Sequence, residues 1–131
     1  MAIRIVQLGS ARHPAEGLRI GTVRRPPRGV PKSEFAKRNY YDTWLPELSP
    51  SLDLMKKGLQ AQKSGNDRLW AAFERGFRTQ MKQPQAARTL DLLAALSHQT
   101  NFSLGCYCND ERRCHRSVLR ALLAERRAAV A

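Results

Sequence analysis

The order of apolar patterns along the chain limits its possible folds more than any other feature. A short β-branched run, Ile3 to Leu8 (IRIVQL), ends at Gly9-Ser10, as a buried strand does. A second strand-like run spans Leu18 to Val23, and a third, Phe102 to Cys108, leads into a polar turn and a final helical pattern. Because helical patterns separate the second run from the third, we predict a single α/β domain with a small, mostly parallel sheet covered by helices.

Three helices are predicted between the second and third strands, and one after the third. The first begins at Ser49-Pro50, which suits a capped helix start, and fades between Gly58 and Gly65. The second carries a helical stripe that we interpret as core rather than as a cofactor site: Trp70, Phe73, Phe77 and Met81. The third begins at Gln83-Pro84, and the last has an apolar side made of Val118, Leu119, Leu122 and Leu123. The predicted order is β-β-α-α-α-β-α, with Ser33 to Tyr41 either a short helix or a loop.

The composition indicates a globular protein with anionic partners. The chain of 131 residues is 42% hydrophobic and 26% charged, which fits one domain, residues 1–131, whose last few residues fray. Its 23 Lys and Arg against 11 acids give a net charge of +12, which attracts polyanions and phosphorylated ligands. No long uncharged run is present, so we expect no membrane span. Three cysteines without an export signal predict reduced thiols and a cytoplasmic location.

The segment from Cys106 to Arg116 carries the residues best suited to chemistry. It lies where a strand meets a helix, and free N–H groups at a helix start bind anions. We therefore predict catalytic roles for Cys114, His115 and Arg116, with Arg112 binding the ligand. Cations and the helix start favour the thiolate of Cys114, and because an ordinary imidazole titrates near neutrality, we expect His115 to act as a general acid or base.

Two other chemistries compete with an anion site at this segment. Zinc could be held by Cys106, Cys108, Cys114 and His115, but adjacent residues diverge on a helix, so we expect no cofactor. A cysteine-based phosphate loop from Cys106 to Arg112 has the required spacing. Its intervening acids would repel a dianion, and no glycine follows Cys106 to let the backbone wrap round a phosphate.

A second basic segment, Arg24 to Lys32, follows the second predicted strand. Its prolines stiffen it. Arg24 and Arg28 would reach the polar turn before the last helix, here called the closing turn, if the second and third predicted strands end at the same sheet edge. The alternative is a solvated basic loop. Three aromatic residues follow closely: Tyr40, Tyr41 and Trp44. They either stack on a nucleic-acid base or are lid or core residues. We interpret His13 and His98 as surface residues.

Four groups of residues, spread along the chain, form a recognisable set of motifs. They are Thr22-Val23-Arg24 with Pro27 to Val30, Trp44 to Ser51 (WLPELSPS), Trp70 to Phe73, and the closing motif, Cys106 with Cys114-His115-Arg116. Together they resemble the domain of unknown function 488 (DUF488) family of small bacterial and archaeal proteins, from Ile3 to Leu123. The resemblance implies an α/β fold and places Arg24 and Arg28 near the closing motif, but it supplies no function. Thr22 stands where the family usually carries an acid, and Cys108 where many relatives carry Glu.

These observations favour an enzyme-like pocket for a small anionic ligand of the phosphate or nucleotide type. The alternatives are a nucleic-acid-binding module, favoured by the net charge, and a metal-dependent or thiol-switch protein that uses the three cysteines and His115. No membrane partner is expected.

Overall fold

The computed structural model describes all residues from Met1 to Ala131. Four parallel strands form one sheet in the order β1-β4-β2-β3, and they are β1 (Ile3–Gln7), β2 (Leu18–Gly21), β3 (Thr43–Trp44) and β4 (Phe102–Cys106). The helices are α1 (Leu52–Ser64), α2 (Asp67–Met81), α3 (Pro84–Leu96) and α4 (His115–Glu125). The α/β class and the predicted order of elements are confirmed. The edge strand β3 was not predicted, because two residues are too few to show an alternating pattern.

Strand β4 is the centre of the sheet. All five of its residues are buried, and it pairs with β1 on one side and β2 on the other, so Phe102 lies beside both Ile3 and Leu18. A strand in this position cannot carry a charged side chain without a partner, and the sequence FSLGC carries none. The carboxyl ends of β1, β2 and β4 therefore lie at one edge of the sheet, where Gln7 lies beside Cys106 and Gly21 beside Gly105.

The helices cover one face of this sheet. The predicted stripe of α2 is core, since Phe73, Phe77 and Met81 are buried, and it shares a hydrophobic cluster with Leu104 of β4 and with the predicted apolar side of α4. Gly58 does not end α1. It lets α2 approach closely, because a Cβ there would lie 3.0 Å from the Phe73 ring.

The limits of α1 are set by standard caps. The helix begins slightly later than predicted, because the side chain of Ser51 accepts a hydrogen bond from the Leu54 N–H. It ends at Gly65, whose φ of 65° is the left-handed conformation that glycine adopts readily. The segment from Ser33 to Tyr41 contains only a 3-10 turn, Lys32–Glu34, followed by turns.

The C-terminal residues were expected to fray, but they lie against β1. Val130 forms a parallel bridge with Ile3, whose N–H donates to Ala129 at 2.8 Å and whose carbonyl accepts from Ala131 at 2.8 Å. None of the helices combines the length and the apolar character needed to cross a membrane.

The other face of the sheet holds a buried ion pair that the sequence did not reveal. Arg19 of β2 is fully buried and donates to both carboxylate oxygens of Glu16, at 2.6 and 2.9 Å. Ser103 of β4 donates to the same carboxylate at 2.7 Å, and the second guanidinium arm binds the carbonyls of Ser10 and Asn39. Burial alone would raise the pKa of Glu16, but these hydrogen bonds and the Arg19 charge outweigh it and lower the pKa from 4.5 to about 2.

We expect Glu16→Gln to lower the free energy of unfolding by about 3 kcal/mol at pH 7, since it leaves Arg19 buried without its counter-charge. The pKa of Glu16 is lower in the folded than in the unfolded chain. The contribution of its carboxylate to the free energy of unfolding is therefore complete above about pH 5 and is lost as the pH falls towards 2. Urea unfolding at pH 7, 5 and 3 should show the difference between wild type and variant shrinking with pH.

The matched control is Glu74→Gln, whose carboxylate pairs with Arg78 at the surface. It should cost less than about 1 kcal/mol. Equal losses for the two variants, or a difference that does not change with pH, would contradict a stabilising role for the buried pair.

Candidate functional site

The candidate site lies at the carboxyl edge of the sheet. Strand β4 ends at Cys106, and β2 leads directly into Thr22, Val23 and Arg24 at the same edge. In open parallel sheets, ligands bind at this edge, in the crevice beyond the strand ends. The edge of this sheet therefore brings the closing motif and the basic segment together.

The three cysteines and one histidine converge there. The sulfur atoms of Cys106 and Cys108 are 3.9 Å apart. Potential ligand atoms of Cys106, Cys114 and His115 all lie within 4.8 Å of one another, and all three residues are buried. The cluster therefore joins the end of β4 to the start of α4.

Cys114 and His115 converge although they are neighbours in sequence. We expected adjacent residues to diverge on a helix, but Cys114 is not helical: its φ of −122° and ψ of 150° are extended, and α4 begins at His115. The change of backbone conformation between them turns the two side chains towards each other, with 3.8 Å between Cys114 Sγ and His115 Nδ1.

His115 is anchored to the end of β2. Its Nε2 lies 2.6 Å from the carbonyl oxygen of Thr22, and because a carbonyl only accepts, Nε2 carries the proton. The ring packs edge-on against Phe77, with 5.6 Å between the ring centroids. Burial lowers the pKa of His115 to about 4, so the titration near neutrality that the sequence led us to expect is wrong for this ring. At pH 7 the ring is neutral, with its Nδ1 lone pair free.

The thiols of the cluster are not equivalent. Interactions with the thiols of Cys106 and Cys108, and then with Arg116, outweigh burial and lower the pKa of Cys114 well below its ordinary value. The same contacts with neighbouring sulfurs, together with burial, raise the pKa of Cys106. Cys114 is therefore the thiol that the surroundings favour as a thiolate.

A cavity of about 290 Å³ opens onto this cluster. Its walls are largely apolar and come from α1, α2 and the end of β2, including Met55, Leu59, Phe73 and Val23. Three arginines also line it: Arg24, Arg25 and Arg113. The cavity thus combines an apolar wall, positive charge and a Cys/His floor.

Arg113 is held in place by two neighbours on α2. Its guanidinium pairs with Asp67 and lies 5.9 Å from the centroid of the Trp70 ring, as a cation–π contact. Its Nη1 is nevertheless buried with no hydrogen-bond partner. A buried N–H group without an acceptor is costly, so this nitrogen is suited to donate a hydrogen bond to a ligand.

The predicted site residues separate into those that line the cavity and those that do not. Arg24, Cys114 and His115 line it. Arg112 points into solvent with 88% of its side chain exposed and pairs with Asp110, and Arg28 is exposed away from the lining.

Arg116 is buried beneath the cluster instead of being open to a ligand. One guanidinium nitrogen donates to the carbonyl of Cys108 at 2.7 Å, while its Nε is buried without a partner. Arg116 thereby ties the start of α4 to the loop after β4 and orients the backbone that carries Cys108.

Several lining residues were not predicted. Gln62 of α1 donates to the carbonyl of Arg113 and to the sulfur of Cys108, the latter at 3.5 Å, so it holds the two sides of the closing turn together. Nothing in the spacing of α1 marks this glutamine. Arg25 was visible within the basic segment, but sequence alone does not tell which of the arginines in that segment line the cavity.

A family model described as the active DUF488-N3 subclade matches residues 3–127, nearly the whole chain. The chain belongs to the DUF488 family. The resemblance drawn from the sequence motifs is thereby confirmed. No curated protein and no solved structure gives a significant match.

The anchoring of His115 predicts a specific tautomer in this DUF488 protein. NMR should find the proton on Nε2, as a slowly exchanging ring N–H resonance that is absent from His115→Asn. In Thr22→Val the resonance should persist, because the Thr22 backbone carbonyl remains and only a hydroxyl that donates to Gly105 is lost. That loss should cost about 1 kcal/mol of stability. A proton on Nδ1 would contradict the described anchoring.

Proposed function

We propose that this DUF488 protein is an enzyme whose substrate is a small molecule with an apolar body and an anionic group of the phosphate type. The observation that carries the proposal is the cavity at the sheet edge, which joins apolar walls, three arginines and a buried Cys/His floor. Its volume is at the lower end of the range for small-molecule sites.

The distribution of polar groups supports an anionic ligand. Arg24 and Arg25 are exposed where they line the cavity, so their charge attracts an anion from solution, and Arg113 offers a buried N–H group that lacks an acceptor. Arginine forks match the oxygens of phosphates and carboxylates, and such charge-assisted bonds are about twice as strong as neutral ones. No carboxylate lines the cavity to compete for these donors.

The floor of the cavity supports catalysis rather than binding alone. Cys114 and His115 touch the cavity, whereas Arg116 acts through Cys108 as a positioning residue. A cluster of three free cysteines also supports a reducing compartment such as the cytoplasm.

Binding can be tested with pairs of probes that differ only by a phosphate, such as AMP with adenosine and ribose 5-phosphate with ribose. We expect the phosphorylated member of at least one pair to bind more tightly in isothermal titration calorimetry. Arg25→Gln should raise its Kd at least about tenfold, since each charge-assisted hydrogen bond contributes about 1.5–3 kcal/mol.

The matched control is Arg28→Gln, which removes the same charge from the same loop but lies outside the cavity lining. It should change Kd less than about twofold, because its effect is limited to long-range attraction screened by salt. The proposal fails if no phosphorylated probe is preferred, or if the two variants weaken binding equally.

A nucleic-acid-binding module is the second candidate, and the net charge of +12 favours it. It predicts that a single-stranded oligonucleotide binds with an affinity that falls steeply between 50 and 200 mM salt, by about 10³-fold or more if six or more phosphates are contacted. Fluorescence anisotropy measures this directly. Under this candidate, Arg28→Gln and Arg25→Gln should each remove one phosphate contact and have similar effects; a flat salt response would exclude it.

A further inference from the structure

We propose that Cys106, Cys114 and His115 bind one thiolate-preferring divalent metal ion, of which Zn²⁺ is the best match, with a fourth coordination position open to the cavity. The role of that open position in catalysis rests on the proposed function. Metal binding itself is a property of three side chains and can be measured without any substrate.

The distances suit a tetrahedral ion. Bonds of about 2.3 Å to sulfur and about 2.0 Å to nitrogen place neighbouring ligand atoms about 3.5–3.8 Å apart. Cys114 Sγ and His115 Nδ1 are 3.8 Å apart, and no pair among the three ligand atoms is separated by more than 4.8 Å. Small side-chain rotations therefore bring all three to bonding distance of one ion.

The hydrogen bond from His115 Nε2 to the Thr22 carbonyl is a second, independent observation. Metal-binding histidines nearly always donate their other ring N–H to a carbonyl or carboxylate, which fixes the tautomer and the direction of the ring. Here that bond, at 2.6 Å, leaves the lone pair of Nδ1 directed at the sulfur of Cys114. The ring is thus already oriented as a ligand.

The surroundings of the sulfurs also fit bound thiolates. Arg116 is buried in the first turn of α4, immediately after His115, and its positive charge would stabilise thiolates that coordinate an ion. The buried Arg116 Nε has no oxygen acceptor. Sulfur and nitrogen ligands without a carboxylate select zinc-like ions over Mg²⁺ or Ca²⁺.

Cys108 lies outside the set of three. Its sulfur is 3.9 Å from that of Cys106 and accepts a hydrogen bond from Gln62 at 3.5 Å, but it is not within 4.8 Å of all the other ligand atoms. Three protein ligands with one open position are typical of catalytic zinc sites, whereas structural sites use four. Because Cys106, Cys114 and His115 all line the cavity, the open position is accessible to water or to a substrate oxygen.

The test is a Co²⁺ titration of the reduced full-length protein, followed by competition with Zn²⁺ and native mass spectrometry. We expect one ion per chain, with the visible absorption of tetrahedral cobalt and a near-ultraviolet charge-transfer band whose intensity corresponds to two thiolates. Cys114→Ser and His115→Gln should each weaken Co²⁺ binding at least about tenfold. Cys108→Ser and the exposed-histidine control His98→Gln should change it less than about threefold.

Several outcomes would overturn the proposal. One is a folded wild-type chain that takes up no stoichiometric Co²⁺ or gives only the weak spectrum of octahedral cobalt. Another is a charge-transfer intensity of three thiolates together with a Cys108→Ser loss as large as that of Cys114→Ser, since the fourth position would then be closed. The wild-type spectrum decides even if a variant fails to fold.

The same measurements separate this proposal from the proposed function. Stoichiometric metal with no preference for any phosphorylated probe leaves the metal site standing and removes the anionic substrate. Phosphate-dependent binding of a probe by a chain that takes up no Co²⁺ leaves the anionic substrate standing and removes the metal site.

Discussion

The structure depends on β4 being held between two parallel neighbours. A central strand buried on both faces satisfies its backbone hydrogen bonds only through β1 and β2, and this pairing fixes its register. Once that register is set, β4 must end, at Cys106, at the same sheet edge at which β2 leads into Thr22. The hydrogen bond from His115 to the Thr22 carbonyl then joins the start of α4 to the residue that follows β2.

The two faces of the sheet carry buried polar groups of different kinds. On one face, Glu16 and Arg19 satisfy each other and their backbone neighbours, and no atom of the pair lacks a partner. On the helix-covered face, nitrogen atoms of Arg113 and Arg116 are buried without acceptors beside a cluster of thiols. A complete network stabilises a fold, whereas unpaired N–H donors at a cavity are suited to a ligand that brings acceptor atoms. This contrast is the reason that the proposed function is placed on the helix-covered face.

Much of the fold could be predicted from the sequence, because strong local patterns produce its main elements. The aromatic stripe of α2 and the strand-to-helix junction after β4 are both visible in the order of residues. The rest depends on contacts between distant segments. Arg19 interrupts a short strand as an exposed residue would, and only Glu16 and Ser103 make its burial possible.

The site shows the same division between local and distant information. Its position follows from the order of elements, but the choice of arginines depends on how two turns are oriented. Arg112 and Arg113 are adjacent in one 3-10 turn, yet the first pairs with Asp110 in solvent and the second packs on α2. Likewise, the convergence of Cys114 and His115 depends on one extended residue immediately before the helix, which a pattern of residue types does not reveal.

Two side chains without a fixed charge lie beside the cluster, at Thr22 and Cys108. The hydroxyl of Thr22 is 3.4 Å from His115 Nε2, and the sulfur of Cys108 is 3.9 Å from that of Cys106. Neither position carries a carboxylate, because the Thr22 hydroxyl is neutral and the Cys108 thiol is neutral unless it ionises. A divalent ion bound by two thiolates and a neutral imidazole has no net charge, so the surrounding arginines would keep their attraction for an anion. The proposed metal ion and the proposed anionic substrate are therefore electrostatically compatible, and the absence of a carboxylate at Thr22 and Cys108 leaves the arginine charge uncompensated on that side of the cluster.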